Sequence, residues 1–220
     1  MDNKIIDELK NASPEEATEL RKLLRGKSKY QKKDVYREKE NKLRYLDPDE
    51  FWLFVNSIKP SLQKYYWVLY LTGLRYKEAK HVTANHIDWK NRAIIIFKAK
   101  GGFQRNANFS TYGKHKLVEY FKGRDKDKPL DFPTIQHLRR VLQETCKKHR
   151  FKWWQDLSVH NIRKSHENAL LAVGVDKSML TAHMGHTPKT AQEHYISSVF
   201  IKDKKQLKKL ESWFGDIFGV

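Results

Sequence analysis

Apolar residues recur with a helical period along most of this chain and change rhythm in one short stretch. In "LDPDEFWLFVNSI", Phe51, Phe54, Val55 and Ile58 fall on one face, as the i, i+3, i+4, i+7 spacing of an α-helix requires. Ahead of them, Asp47, Pro48 and Glu50 form a start signal: an acceptor at the N-cap, a proline in the first turn and a carboxylate three residues after the cap. "SLQKYYWVLYLTG" is apolar on nearly every side and ends at Gly73, which predicts a mostly buried helix with a glycine stop. "LRYKEAKHV" begins another helix just after it. Then the period shifts. Residues 93–97 are an apolar run rich in β-branched side chains, Gly101 and Gly102 supply a turn, and 104–110 read as the returning strand. Helices resume at 114–122, 133–150, 158–173 (stopped by Gly174), 177–183 and 188–198. A last amphipathic helix covers 202–218, with Leu207, Leu210 and Trp213 or Phe214 as its stripe. The fold class is therefore mainly α with a small antiparallel β-sheet (α+β).

The N-terminal part is built differently. "SPEEATELRKLLRG" predicts a short helix, with Ser13 as N-cap, Pro14 in the first turn, Glu16 closing a capping box and Gly26 as the stop. Residues 27–44 are polar and lysine-rich without an apolar face, which suits a linker or a solvated helix that tracks phosphates. Composition turns apolar at Tyr45. The expected division is 1–44 as a short helix and basic linker, 45–200 as the main domain, and 201–220 as a C-terminal amphipathic helix that packs in cis or passes to a neighbouring protomer.

Charge narrows the function. The 220 residues include 44 Lys and Arg against 26 Asp and Glu, a net +18 with pI near 9.8. Self-repulsion of that size points to a polyanionic partner, and 39% hydrophobic residues with six tryptophans describe a folded domain and not a disordered basic tail. Cys146 is the only cysteine, so intramolecular disulfides and CxxC zinc sites are excluded and a reducing, cytoplasmic setting fits. No apolar run approaches the roughly 20 residues that span a bilayer, so no membrane partner is expected.

Several short motifs carry candidate chemistry. "HNIRK" places His160 and Arg163 three apart on a predicted helix, so both project from one side. "TGLRYKE" places Arg75 near the start of a helix with Glu78 one turn on, and "KAKGGFQR" places Lys100 at the mouth of a hairpin. "MGHTPKTAQEHYI" adds His186 and, nine residues later, Tyr195. Singly these read as a helix residue, a capping ion pair and a solvated lysine. Together they supply a phosphoryl-transfer site without a metal. Displacement at a phosphodiester builds negative charge on the non-bridging oxygens, which fixed cations stabilise. A guanidinium offers a planar fork matched to two phosphate oxygens. A tyrosine nucleophile needs its proton removed, and the departing hydroxyl needs one supplied.

The order "TGLRYKE", "KGGFQR", "HNIR", "MGH" and "HY" resembles the tyrosine recombinase (phage integrase, Xer-type) family over residues 45–199. The resemblance implies that Tyr195 attacks the scissile phosphate, leaving a 3′-phosphotyrosyl link and a free 5′ hydroxyl. It assigns Arg75 and Arg163 to clamp the phosphate, Lys100 to protonate the leaving oxygen and His160 to act as acid/base partner of Tyr195. His186 would donate a hydrogen bond to the phosphate, and Glu78 would orient Arg75. It further implies double-stranded DNA as partner, a tetramer on that DNA, and religation without cofactor, metal or ATP. Lys98, Arg105, Lys114 and Lys164 are candidate DNA-binding cations.

This sequence departs from the family pattern in places. "AKGG" stands where "GKG" is usual, which leaves Lys98 as a rival for the acid, and Met184 replaces the common leucine before Gly-His. The 44-residue leader is shorter than the helical domain with which such enzymes clamp DNA. The expectation is an excised catalytic fragment or a minimal integrase of the kind seen in archaeal viruses and plasmids. His194 lies nearly opposite the face of Tyr195, His166 and His183 read as surface or helix-packing residues, and Tyr65, Tyr66, Trp67, Trp153 and Trp154 as core or interface aromatics. A zinc site from His160, His183, His186 and His194 has neither cysteine nor a close carboxylate pairing, so no metal is expected. Two other functions use the same fold: DNA binding with a relict pocket, and type IB topoisomerase-like nicking and religation.

Overall fold

Asp47 starts the first helix in the way its sequence dictates. Its carboxylate accepts from the amides of Asp49 and Glu50, both at 2.8 Å, and Glu50 reaches back to the Asp47 amide at 3.1 Å. The structure, a computed structural model, describes residues 45–97, 104–151, 154–186 and 203–218, and all of these fall in one compact unit, 43–220. Helix α1 (Pro48–Asn56) turns Phe51, Phe54 and Val55 inward. Helix α2 (Pro60–Thr72) is buried at every position from 65 to 72, as expected of a strand-like apolar density on a helix at the centre of a bundle. Gly73 stops it at φ +62°, donating its amide to the Leu69 carbonyl at 3.0 Å.

A short helix α3 (Tyr76–Ala79) leads to the sheet, whose strands are β1 (Ile87–Asp88), β2 (Ala93–Ile96) and β3 (Arg105–Asn108) in the antiparallel order β1-β2-β3. The first strand is an addition to the hairpin that the sequence predicts. Two residues are too few for a period to register, and Ile87 pairs with Ile94 only through the fold. The returning strand ends at Asn108 and not at Ser110, because the Ser110 hydroxyl accepts from the Gly113 amide at 3.0 Å. That cap starts helix α4 (Thr111–Phe121) three residues earlier than the apolar pattern suggests. Helices α5 (Ile135–Lys148), α6 (Val159–Ala172), α7 (Lys177–Met184) and α8 (Lys204–Phe214) complete the described residues. The predicted helices at 13–26 and 188–198 and the turn at Gly101 and Gly102 lie outside them.

The core is an aromatic cluster around α2. Phe51 stacks on Tyr70 with centroids 3.8 Å apart, and Tyr66 donates its hydroxyl to the Leu138 carbonyl at 2.6 Å, joining α2 to α5. Helix α8 lies against α1, α4 and α6 of the same chain, with Leu210, Trp213 and Phe214 buried and Leu207 only half-buried. Trp213 meets Trp67 edge-on at 5.6 Å and Tyr70 at 5.9 Å. Beyond α8, Asp216 bonds to Arg92 and to the Thr111 amide at 3.0 Å, fixing the end of the helix to the sheet and to α4. Truncating Trp213 to alanine should therefore lower the unfolding free energy by about 3–5 kcal/mol, the usual range for an aromatic removed from a packed core. Urea unfolding followed by tryptophan fluorescence measures it, and a loss within 1 kcal/mol would show that α8 does not contribute to the fold this way.

Candidate active site

The site grows from one carboxylate. Glu78, one turn into α3, is half-buried as a residue, with its side chain 7% exposed. It accepts from the Arg75 amide at 2.8 Å, from Arg75 Nη1 at 2.8 Å and from Arg105 Nη2 at 2.6 Å. Burial alone would raise its pKa, but Arg105 and the Arg75 hydrogen bonds outweigh burial and hold the carboxyl below its ordinary range. Arg75 caps α3 and stays a quarter exposed, so part of its guanidinium faces outward.

The C-terminus of α7 gathers the arginines. A helix ends with carbonyls that have no partner within the helix, and the macrodipole makes that end negative. Here three successive carbonyls each accept from a different arginine: residue 183 from Arg105 Nη1, Met184 from Arg163 Nη2, and Gly185 from Arg75 Nη2 at 2.9 Å. Arg163, buried on α6, also donates Nη1 to the Gly73 carbonyl at the end of α2. Burial, with Arg75 and Arg105 nearby, brings the Arg163 guanidinium down to about 9, still charged at neutral pH. Gly185 is required where it stands: it has φ +60°, and a Cβ there would lie 2.6 Å from Arg105 Cδ.

Behind the arginines, two histidines form a directed chain. The Asn108 amide donates to His183 Nδ1 at 3.1 Å, so the His183 proton sits on Nε2. That nitrogen lies 2.8 Å from His166 Nε2, which must then accept, and His166 Nδ1–H donates to the Tyr70 carbonyl at 2.7 Å. Both rings are neutral. Burial lowers His166 to about 3 and takes His183 well below the usual histidine range, with Arg105 and Arg163 acting in the same direction. Of the two readings open in the sequence for this pair, the structure shows helix packing: the rings tie α6 and α7 to β3 and α2. Gly73 faces the same ring, and a Cβ on it would meet His166 Cδ2 at 2.4 Å.

His186 follows directly on the α7 end, and its Nδ1 lies 3.5 Å from Glu167 Oε1 on α6, both side chains being 7% exposed. His160 is exposed in the first turn of α6, the helix that carries Arg163. The structure thus brings Arg75, Glu78, Arg163 and His186 together. Lys98, Lys100, His194 and Tyr195 lie outside the described residues. Lys114 and Lys164 are half-buried. Arg105 is a correction to the expected DNA-facing cation: strand alternation puts it on the inward face with Ala107, and its side chain is 6% exposed against Glu78.

The sequence reading gave Arg105 a different role and missed Glu167 and the basic face of α5, though it predicted that helix. Helix α5 turns Leu138, Leu142 and Cys146 inward and leaves Arg139, Arg140, Lys147 and Lys148 exposed. Beside it a hollow of about 440 Å³ is lined in part by Arg139, Arg140, Lys147 and Trp154, with the Lys147 ammonium 5.1 Å from the Trp154 ring. The i, i+4, i+8 apolar spacing with cations between was the available signal.

Comparison with known proteins identifies the family and the fold. The phage integrase family model matches residues 44–200. The chain is 28% identical over 180 residues to a tyrosine recombinase XerC of Anoxybacillus flavithermus, an alignment covering 72% of this chain and 59% of that protein. Among solved structures, an integrase of the Tn1549 transposon in complex with circular intermediate DNA is similar at TM-score 0.58 and 17% identity, over 82% of this chain and 68% of that one. XerA recombinase is similar at TM-score 0.57 and 18% identity, over 77% and 64% of the two chains. At these identities the structures establish a shared fold, mainly helical with a small antiparallel sheet. By the match of its sequence over 44–200, the chain belongs to the phage integrase family.

Proposed function

We propose that the chain is a site-specific DNA recombinase or integrase, cleaving and rejoining strands through a 3′-phosphotyrosyl intermediate. The observation that carries this reading is the meeting of Arg75 and Arg163, from separate helices, on the carbonyls just before His186. Arg75, Arg105 and Arg163 stand against Glu78 and Glu167, three positive charges to two negative, so the site carries a surplus of one. A scissile phosphate supplies the missing anion, and guanidiniums already fixed by carbonyls need little reorganisation as charge develops.

In this reading the Tyr195 oxygen forms a bond to phosphorus as the bond to the 5′ oxygen breaks. His160 takes the phenolic proton and Lys100 protonates the departing oxygen, while Arg75, Arg163 and His186 hold the non-bridging oxygens. Religation reverses the step with a new 5′ hydroxyl, so the bond energy is conserved and ATP is not consumed. Exposed cations on α5 supply phosphate contacts along the duplex. Strand exchange takes place in a tetramer on two duplexes, in the cytoplasm. Among the described residues no helix is long and apolar enough to cross a membrane.

A nicked suicide duplex tests the reading, since loss of the short strand traps the covalent state. Wild type is expected to give an SDS-resistant adduct that Tyr195→Phe abolishes. A salt-sensitive mobility shift without adduct would overturn it in favour of a binding protein. Supercoil relaxation without a two-site product would reduce it to nicking and religation.

A further inference from the structure

We infer that Arg105 is a positioning residue of this site, holding the C-terminal turn of α7 in register with Arg75. The inference rests on the transesterase reading above but concerns a residue which that chemistry does not use. Arg105 stands on β3 and spans two elements: Nη2 donates to Glu78 on α3 at 2.6 Å, and Nη1 donates to the residue 183 carbonyl on α7. Glu78 in turn holds the Arg75 amide and guanidinium. The path from Arg75 to the α7 end therefore closes into a ring: Arg75 to Glu78, Glu78 to Arg105, Arg105 to residue 183, and Gly185 back to Arg75.

That ring leaves the α7 end little freedom. Beyond Arg105, the turn after Met184 is held by the amides of Gly185, to Ala182 at 3.2 Å, and His186, to Thr181 at 3.1 Å. Arg105 also lies close against Gly185, where even a methyl group would sit 2.9 Å from its Nε. Fixing this turn fixes the Met184 carbonyl that holds Arg163, and the first atoms of His186. A guanidinium suits the task because its planar fork reaches two acceptors at once, whereas an ammonium on a single stem reaches one. Arg105 has its charge matched by the Glu78 carboxylate inside the fold, with its side chain 6% exposed, whereas the bonds of Arg163 run to neutral carbonyls and leave its charge for a bound anion.

Arg105→Lys tests this, since it keeps the charge and one of the two bonds. At saturating suicide duplex, the expected rate of adduct formation falls at least tenfold, with DNA affinity and its salt dependence unchanged. Hydrogen exchange should show tenfold lower protection of the Gly185 and His186 amides, with α2 protection as in wild type. Arg105→Met should deepen both effects, and if it does not fold, Arg105→Lys alone decides. Weaker binding with a salt slope shallower by about one ion would make Arg105 a phosphate ligand and overturn the inference. So would wild-type rate and protection with only a lower melting temperature. Should wild type form no adduct, the transesterase reading fails by itself, and local exchange at Gly185 and His186 still decides the role of Arg105.

Discussion

A Glu78→Gln protein is expected to lose about 3–5 kcal/mol of stability, because removing one partner of a buried ion pair strands the other without compensation. Glutamine nearly matches the shape, so the change isolates charge. Its amide nitrogen would face the N–H groups of Arg75 or Arg105, donor against donor, where two charge-assisted bonds of 2.8 and 2.6 Å now stand. Of the two carboxylates that act on Arg163, Glu167 alone would then keep its charge. Urea unfolding at pH 7 measures the loss, and a value under about 1 kcal/mol would mean that the cluster is not held together by this carboxylate. Inorganic phosphate provides an independent arm, since an anion seated among the arginines should stabilise the variant more than wild type.

The same carboxylate gives a signed pH dependence. Its folded pKa lies below the ordinary carboxylate range, despite the opposing effect of burial, so its contribution is complete above the unfolded value of about 4.3. As pH falls through the folded value the contribution disappears. Between the unfolded and folded values wild type should therefore lose stability more steeply than Glu78→Gln, which has no proton to take up there.

Much of this architecture could be read from periodicity, and the exceptions have physical reasons. Helices α1, α2, α5 and α6 show themselves because a core-facing helix of nine or more residues repeats its apolar face at least twice. Strand β1, with two residues, has no repeat to show. Arg75 and Glu78 are close in sequence, so their spacing already suggests a pair. Arg105 and Glu78 are joined only by the fold, and a cation after a glycine hairpin reads first as surface. His166 and His183 pose the same difficulty: polar residues on a helix are assigned to water unless a partner is visible. Each is the other's partner, and they lie on different helices. The carbonyl comb at the end of α7 could not be read at all, because main-chain acceptors leave no mark in side-chain identity.

That histidine pair governs the milder acid range. In the folded chain burial, with Arg105 and Arg163 close by, brings His166 down to about 3 and holds His183 well below the usual histidine range. In the unfolded chain each titrates near 6.5. Between these limits the unfolded state binds more protons, so stability is fully present above pH 6.5 and declines as pH falls toward 3. Each histidine contributes a slope approaching about 1.4 kcal/mol per pH unit within that window. The fall begins well above the carboxylate range, which separates it from the Glu78 effect. Protonating His166 on Nε2 would also set two N–H groups against each other across 2.8 Å, between the helix that carries Arg163 and the one that ends at Met184, and protonating His183 on Nδ1 would set it against the Asn108 amide at 3.1 Å. A His166→Gln/His183→Gln protein keeps hydrogen-bonding groups at both positions but has nothing to titrate there. Urea unfolding at intervals from pH 7.5 to 4.5 should give a steep decline for wild type and a nearly level line for the double variant. Parallel declines in the two proteins would assign the acid sensitivity elsewhere, and a ring-nitrogen spectrum showing the His183 proton on Nδ1 would break the chain at its first link.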